Sequence, residues 1–225
     1  MISWWRLLFG TPRRSSPGVD AINLDLPMFV VEESTHSRSW RDADGDVVSL
    51  EVVDDFEAVP ATSNAAQMHF RKMAENHNGG LVQAQLLEWR STRVAEGIYK
   101  FRRGNGFAFT GMLMMPVHRS SLIWAVAAGE RGTTGIREAM VTAQMLKDGS
   151  LTVQSYEQTW AQDPYDPEYR ARGRVEAGAL RYLSDDPRFD AQFPSHPLAK
   201  VRNLLQTIRT DVTIDEEAFG SPSAS

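Results

Sequence analysis

Apolar residues recur at strand-like and helix-like spacings in separate blocks of the chain. Strand-like runs are predicted at residues 28–32, 39–42, 47–53, 81–89, 98–102, 107–115 and 122–128. An Asp-Gly pair at residues 44–45 separates the second run from the third and is typical of a hairpin turn. Short connections join the last four runs, which favours antiparallel pairing between neighbours.

Two helices are predicted, one before the last four strands and one after them. The first covers residues 64–77 and can be capped by Thr62 or Ser63. The second covers residues 134–147 and can be capped by Thr133 or Thr134. The expected buried stripes are Ala65, Met68, Phe70 and Met73 in the first helix and Ile136, Met140, Ala143, Met145 and Leu146 in the second. Strands and helices in separate blocks indicate an α+β fold, an antiparallel sheet flanked by helices, and not a doubly wound parallel sheet.

The order of these elements from about residue 25 to residue 150 resembles that of the PsbP-like superfamily. The matching parts are Val47–Val53, the helix after Pro60, the four strands from Leu81 to Ala128 and the helix from Thr134. The resemblance implies an antiparallel sheet sandwiched by helices, an α/β/α arrangement, and a binding or assembly role. It rests on order and spacing, so it implies no site residues, and fold by itself does not specify function.

The ends of the chain differ from this central part. Residues 1–18 are expected to form an apolar and aromatic segment with a linker, and residues 19–150 the α+β sandwich domain. Residues 151–225 are expected to form a mainly helical, turn-rich extension with a disordered tail. Within it, residues 170–183 are predicted to be helical, and a second helix opens at Ser195 with Pro197 in its first turn. The apolar face of that second helix, expected to dock on the core or on a partner, consists of Leu198, Val201, Leu204, Leu205 and Ile208.

Composition narrows the function classes. The chain of 225 residues has 24 basic and 29 acidic residues, a formal net charge of −5, and this balance argues against a nucleic-acid binder. It has no cysteine, which excludes disulfides, thiolate metal sites and a cysteine nucleophile. No apolar run reaches the roughly 20 residues of a membrane-spanning helix, and no export signal is recognised, so a cytoplasmic location is expected.

Three features of the sequence are candidates for binding a metal or an anion, but for each of them a purely structural role is favoured over binding. The turn Asp42-Ala-Asp44-Gly45-Asp46 resembles a calcium loop, but Trp40 stands where the first ligand of an EF-hand belongs. The five histidines form none of the usual zinc motifs. The segment 129–135 precedes a helix and could bind an anion with help from Arg131, although it lacks the lysine of a P-loop. No metal and no cofactor is predicted.

The N-terminal segment is the predicted partner-binding site. Trp4, Trp5, Leu8 and Phe9 are residues of the kind enriched in binding hot spots and at membrane surfaces. The segment folds back on its own domain, engages a protein partner, or makes a peripheral membrane contact through residues 1–14. Arg6, Arg13 and Arg14 suit anionic lipid.

Two functions are compatible with the sequence. The first is a non-catalytic protein-binding module with an assembly or accessory role and a protein partner. The alternative is a carrier of a small apolar molecule, or an enzyme, that uses a pocket against the central sheet. The candidate pocket residues are Phe107, Phe109, Met112, Met114 and Trp124. No catalytic residue is predicted, and the sequence leaves the identity of the partner and the oligomeric state open.

Overall fold

The computed structural model describes residues 18–54, 59–169 and 179–219, and for Asp54 the backbone only. The predicted binding residues Trp4, Trp5, Leu8 and Phe9 lie outside the described residues, as do most of the predicted helix at 170–183 and the tail after Phe219.

A sheet of seven antiparallel strands forms the centre of the molecule. The described strands are β1 Ile22–Asn23, β2 Phe29–Glu33, β3 Ser37–Arg41, β4 Val47–Asp54, β5 Gly80–Trp89, β6 Thr92–Arg103, β7 Gly106–Val117, β8 Ser120–Gly129, β9 Ala161–Gln162, β10 Arg181–Tyr182 and β11 Thr213–Ile214. The order across the large sheet is β2-β3-β4-β8-β7-β6-β5. The pairing of β4 with β8 therefore joins the strands β2 to β4 to the strands β5 to β8. Strands β6, β7 and β8 are buried over most of their length, as the nearly continuous apolar run at residues 122–128 predicts for β8, whereas the edge strand β5 is buried mainly at its start.

Helices cover both faces of this sheet. The described helices are α1 Ser63–Asn76, α2 Ile136–Asp148, α3 Val153–Thr159 and α4 Pro197–Asp211. Helix α1 packs on β5 and β6 from one side, and α4 packs on β7 and β8 from the other. The predicted α+β class, with an antiparallel sheet between layers of helix, is therefore confirmed.

Each face of the sheet has its own apolar core. On the α4 face, Trp124 stacks on Trp40 with ring centroids 5.9 Å apart, and Leu113 and Leu205 pack in the same cluster. On the α1 face, Phe70 and Met112 are fully buried together. Because side chains alternate along a strand, neighbouring residues of β7 contribute to opposite cores.

The C-terminal region takes part in the central fold. Helix α4 buries Leu198, Val201, Leu205 and Ile208 in the core of its face, as its predicted stripe requires. Strand β11 pairs with β1 at the other end of the described chain. Of the two predicted positions for this helix, on the core or on a partner, the structure shows the first.

Several local predictions are wrong. Met68 of α1 is exposed and Ala66 is buried instead. Of the predicted stripe of α2 only Met145 is buried, whereas Ile136, Met140, Ala143 and Leu146 are exposed. Arg137, which the stripe did not contain, is buried. The N-cap of α2 is Gly135 and not Thr133 or Thr134. Residues 181–183, predicted as the end of a helix, form the short strand β10 and the first residue of a 3-10 turn.

Helix α3 was not expected from the pattern because it is only seven residues long. No helix among the described residues is both long enough and apolar enough to cross a bilayer.

Candidate functional site

An open groove of about 590 Å³ lies on the α1 face of the sheet. Helix α1 packs on β5 and β6, and the part of this face built from β3, β4, β7 and β8 forms the groove beside it. A concave surface of this size is large enough to hold several side chains of a partner or a small ligand.

Small side chains form the floor of the groove. The floor positions are Ser39, Ser49, Ala108, Thr110, Ala125 and Ala127. The register places Ser49 between Ser39 and Ala125, and Ala127 opposite Thr110, so these residues adjoin one another on one face. Further along the same strands, large residues such as Met112 and Ile123 fill the space below α1. The groove therefore exists because side-chain volume falls where the helix stops.

The rings of His77 and Phe101 form the wall of the groove next to α1. His77, at the C-cap of α1, stacks on Tyr99 with centroids 5.9 Å apart, and Phe101 lines the groove beside it. Burial lowers the pKa of His77, which keeps the ring neutral near neutral pH. This wall is consequently aromatic and uncharged.

The opposite lip is the edge strand β2, and it is strongly apolar at its start. Phe29 is 73% exposed, Val30 53% and Val31 51%. Exposed apolar residues in a row are typical of an interaction surface. A β-bulge interrupts the pairing of β2 at Val31, and Glu32 and Glu33 follow it. Since bulges and charges oppose strand addition, we expect β2 to contribute apolar contact area and not a full backbone template.

Three arginines stand along the groove. Arg131 binds Asp46 through Nη2 at 2.6 Å. Arg41 and Arg103 have no carboxylate partner within the described part of the chain, and Nε of Arg41 is buried there without a hydrogen bond. A buried donor without an acceptor is costly, so an acceptor from a bound molecule would stabilise this arginine.

The five predicted pocket residues do not form one pocket. Phe107, Phe109 and Trp124 point into the core of the α4 face, whereas Met112 and Met114 point into the core below α1. Phe107 lines a cavity that is separate from the groove. Sequence reasoning looked for large apolar residues, while the groove is formed by small ones. Serine, alanine and threonine at alternate positions of neighbouring strands are the pattern that could have revealed it.

The acidic turn at residues 42–46 is held by cations of the chain itself. Nζ of Lys200 lies 2.7 Å from Asp44 and 3.0 Å from Asp46, and Arg131 also binds Asp46. The hydrogen bond from Lys200 lowers the pKa of Asp44. These contacts tie the hairpin to helix α4, so the carboxylates that resemble calcium ligands already have partners.

Comparison with known proteins gives likenesses of structure only. No family model and no curated protein matches the chain. The Ran-binding protein Mog1p of Saccharomyces cerevisiae is similar in structure, with a TM-score of 0.45, 10% identity, and coverage of 89% of this chain and 94% of Mog1p. A mutant of Mog1 gives a TM-score of 0.40 at 10% identity, with 91% and 96% covered.

A protein from Bacteroides thetaiotaomicron gives a TM-score of 0.33 at 13% identity, with 53% of this chain and 42% of that protein covered. All three TM-scores are low, so any function must be argued from the residues of this chain. The resemblance to the PsbP-like superfamily stays a prediction.

Proposed function

We propose that the protein is a binding module that holds an apolar, acidic segment of a partner protein in the groove on the α1 face. The observation that carries this proposal is the floor of small side chains beside the exposed apolar strand β2. Apolar side chains of the partner would fill the groove and cover Phe29 and Val31. This would remove apolar surface from water on both molecules.

The charge of the groove selects the chemistry of the partner. Arg41 and Arg103 offer guanidinium groups without a carboxylate partner in the described part of the chain. Carboxylates of the partner would pair with them in a fork-like geometry. The expected partner segment therefore combines apolar residues with aspartate or glutamate. The Ran binding named for the yeast neighbour is also protein binding, but it transfers no partner to this chain.

A pair of peptides tests the proposal directly. In one peptide leucine alternates with glutamate, and in the other leucine alternates with lysine. We expect the glutamate peptide to bind about tenfold more tightly, because complementary charge favours the correct partner. Calorimetry gives both affinities, and NMR shift changes should concentrate at Ala125, Ala127 and Val31.

Matched variants locate the binding surface. Ala127→Phe fills the floor of the groove, and Ala139→Phe places the same ring on the exposed surface of α2. Arg103→Glu reverses a charge beside the groove, and Arg119→Glu reverses one in the exposed turn between β7 and β8. Only the first variant of each pair should weaken the binding of the glutamate peptide.

Other outcomes would refute the proposal. Equal binding of both peptides, no binding of either, or unchanged binding by Ala127→Phe would each contradict it. Saturable binding of dodecanoate in the groove without peptide binding would favour the alternative function, a carrier of an apolar molecule.

A further inference from the structure

A second cavity, of about 460 Å³, lies outside the groove and is walled by aromatic rings. It lies between the start of β7, the start of α2, helix α3 and strand β10. Its rings belong to Phe107, Tyr156, Trp160 and Tyr182. Trp160 stacks with Tyr156 at 5.3 Å and with Tyr182 at 5.7 Å, and Phe107 meets Tyr182 edge-on at 5.7 Å. The four rings thus form one continuous aromatic wall.

The charged residues lining this cavity are all acidic. Glu130, Glu138 and Glu157 line it, and no lysine or arginine is among its described lining residues. Lys100 lies behind the wall, fully buried, with Nζ 2.7 Å from Asp185 and 3.3 Å from the centroid of Tyr182. The cavity therefore combines π faces with carboxylates, the two groups that attract organic cations.

Glu138 holds its carboxylate away from water. Both of its carboxylate oxygens are buried, and within the described part of the chain no other residue donates a hydrogen bond to them, since Nε2 of His196 stays 3.9 Å from Oε1. Burial raises the pKa of Glu138, and the carboxylates of Asp185 and Glu130 add to the rise, while the backbone N–H of Glu138 itself and the charge of Lys100 oppose it in part. A cation placed beside Glu138 would reverse this effect and satisfy both oxygens.

A divalent metal is the competing occupant, because Glu130, Glu138 and His196 converge within 4.8 Å of one another. The two oxygens of Glu130 are already used, since they accept hydrogen bonds from the backbone N–H groups of Phe107 at 2.8 Å and Gly135 at 2.9 Å. Nδ1 of His196 accepts the N–H of Leu198 at 3.2 Å. The proton of the neutral ring is then on Nε2, the nitrogen that faces Glu138 at 3.9 Å. The donor set is thus poorly prepared for a metal.

We propose that this cavity binds a guanidinium group, with its N–H fork on Glu138 and its apolar faces against the aromatic wall. Guanidinium suits the site better than ammonium because it is planar, stacks on rings and pairs with both oxygens of one carboxylate. The group can belong to an arginine side chain of a partner or to a small guanidine. The site faces α2, and the groove floor faces the α1 side of the sheet, so this proposal does not depend on the groove.

Calorimetric titration of the full chain with N-methylguanidinium tests the site. We expect saturable binding to the wild type and at least a tenfold loss in Glu138→Gln. Glu168→Gln, an exposed glutamate outside the cavity, should bind as the wild type does. Methylammonium should bind more weakly than N-methylguanidinium.

A second variant keeps the test valid if Glu138→Gln is damaged. Tyr156 is 37% exposed, so Tyr156→Ala should leave the fold intact. It should still weaken the binding of N-methylguanidinium by threefold or more. An acetyl-Ala-Arg-Ala-amide peptide that binds more tightly than N-methylguanidinium would identify a partner's arginine as the source. The reverse order would identify a small guanidine.

Three results would overturn the inference. They are no saturable binding of N-methylguanidinium, equal binding by Glu138→Gln, and tight binding of Zn²⁺ or Mn²⁺ that requires Glu138 and excludes N-methylguanidinium. Groove variants such as Ala127→Phe should not change this titration, which keeps the two proposals separable.

Discussion

Two glycines in neighbouring strands let the helices approach both faces of the sheet. A methyl group on Gly97 of β6 would overlap the ring of Phe70, which is fully buried in α1. A methyl group on Gly111 of β7 would lie 2.6 Å from Leu205 and 2.7 Å from Val201 of α4. At the scale of single residues, the packing of the sandwich thus depends on the absence of a side chain at these positions.

Gly97→Ala should destabilise the protein by about 1–3 kcal/mol, because the added methyl overpacks a core that has no room to move. Gly129→Ala is the matched control, since its nearest contact would be Arg103 at an ordinary 3.7 Å. Urea unfolding followed by circular dichroism measures both free energies of unfolding. Equal effects of the two substitutions would contradict this account of the packing.

Gly97 also shows where sequence reasoning fails at this scale. The pattern places it in the connection before a strand at 98–102, because glycine usually interrupts regular structure. The structure continues β6 through it, from Thr92 to Arg103. The reason is a contact with Phe70, a residue of another element, and local pattern carries no information about that contact.

At the scale of elements, helix α4 begins at an unusual cap. Pro197 occupies the first turn, and the side chain of His196 accepts the N–H of Leu198 through Nδ1. Burial, assisted by the positive charge of Arg137, lowers the pKa of His196 to about 3. The neutral ring is therefore the form that caps this helix.

This cap predicts a pH dependence of stability. Between pH 6.5 and about 3 the unfolded chain binds a proton at His196 that the folded chain does not. The contribution of the neutral His196 to the free energy of unfolding is therefore complete above pH 6.5. It is lost as the pH falls, with a slope of at most about 1.4 kcal/mol per pH unit. His196→Asn keeps a capping acceptor but cannot titrate.

Urea unfolding at several pH values between about 4 and 7 compares the two proteins. The wild type should lose stability more steeply than His196→Asn as the pH falls. Parallel pH profiles would show that His196 is not buried in its neutral form.

The error in α2 has its cause at this scale. The pattern assigned Ile136 and Met140 to the core by hydrophobicity, but both are exposed. Arg137 is buried instead, because it binds Asp190 at 2.9 Å and donates to the backbone oxygen of Ser184. These partners lie far along the chain, so a helical period cannot show that an arginine is the residue turned inward.

At the scale of the whole molecule, the class of the fold and the order of the main strands along the chain follow from the sequence. Apolar runs and an Asp-Gly turn are local features, and they locate β4, β7 and β8 and the first hairpin. The groove and the aromatic cavity cannot be predicted from such local features. The groove depends on the register that brings Ser39, Ser49 and Ala127 onto one face, and the aromatic cavity joins Phe107 to residues of the C-terminal region.

The C-terminal region also determines whether the sheet can be stable alone. Leu113, Met115 and Trp124 of the α4 face are fully buried, and α4 covers this face. Polar contacts reinforce the docking, since Nε1 of Trp89 donates to the backbone oxygen of Arg209 at 2.9 Å. Arg90 donates to the backbone oxygen of Val212 at the same distance.

A fragment of residues 18–150 should therefore fail to fold cooperatively. Without α4 one apolar face of the sheet would be open to water, and β1 would lose its partner β11. The control is residues 18–219, which keeps every described element and should unfold in one sharp transition. Thermal and urea unfolding distinguish the two, because a broad transition with binding of a hydrophobic dye marks lost tertiary packing. A sharp transition in the shorter fragment would mean that the sheet and α1 suffice, and that α4 is a separable extension of the kind the sequence pattern indicates.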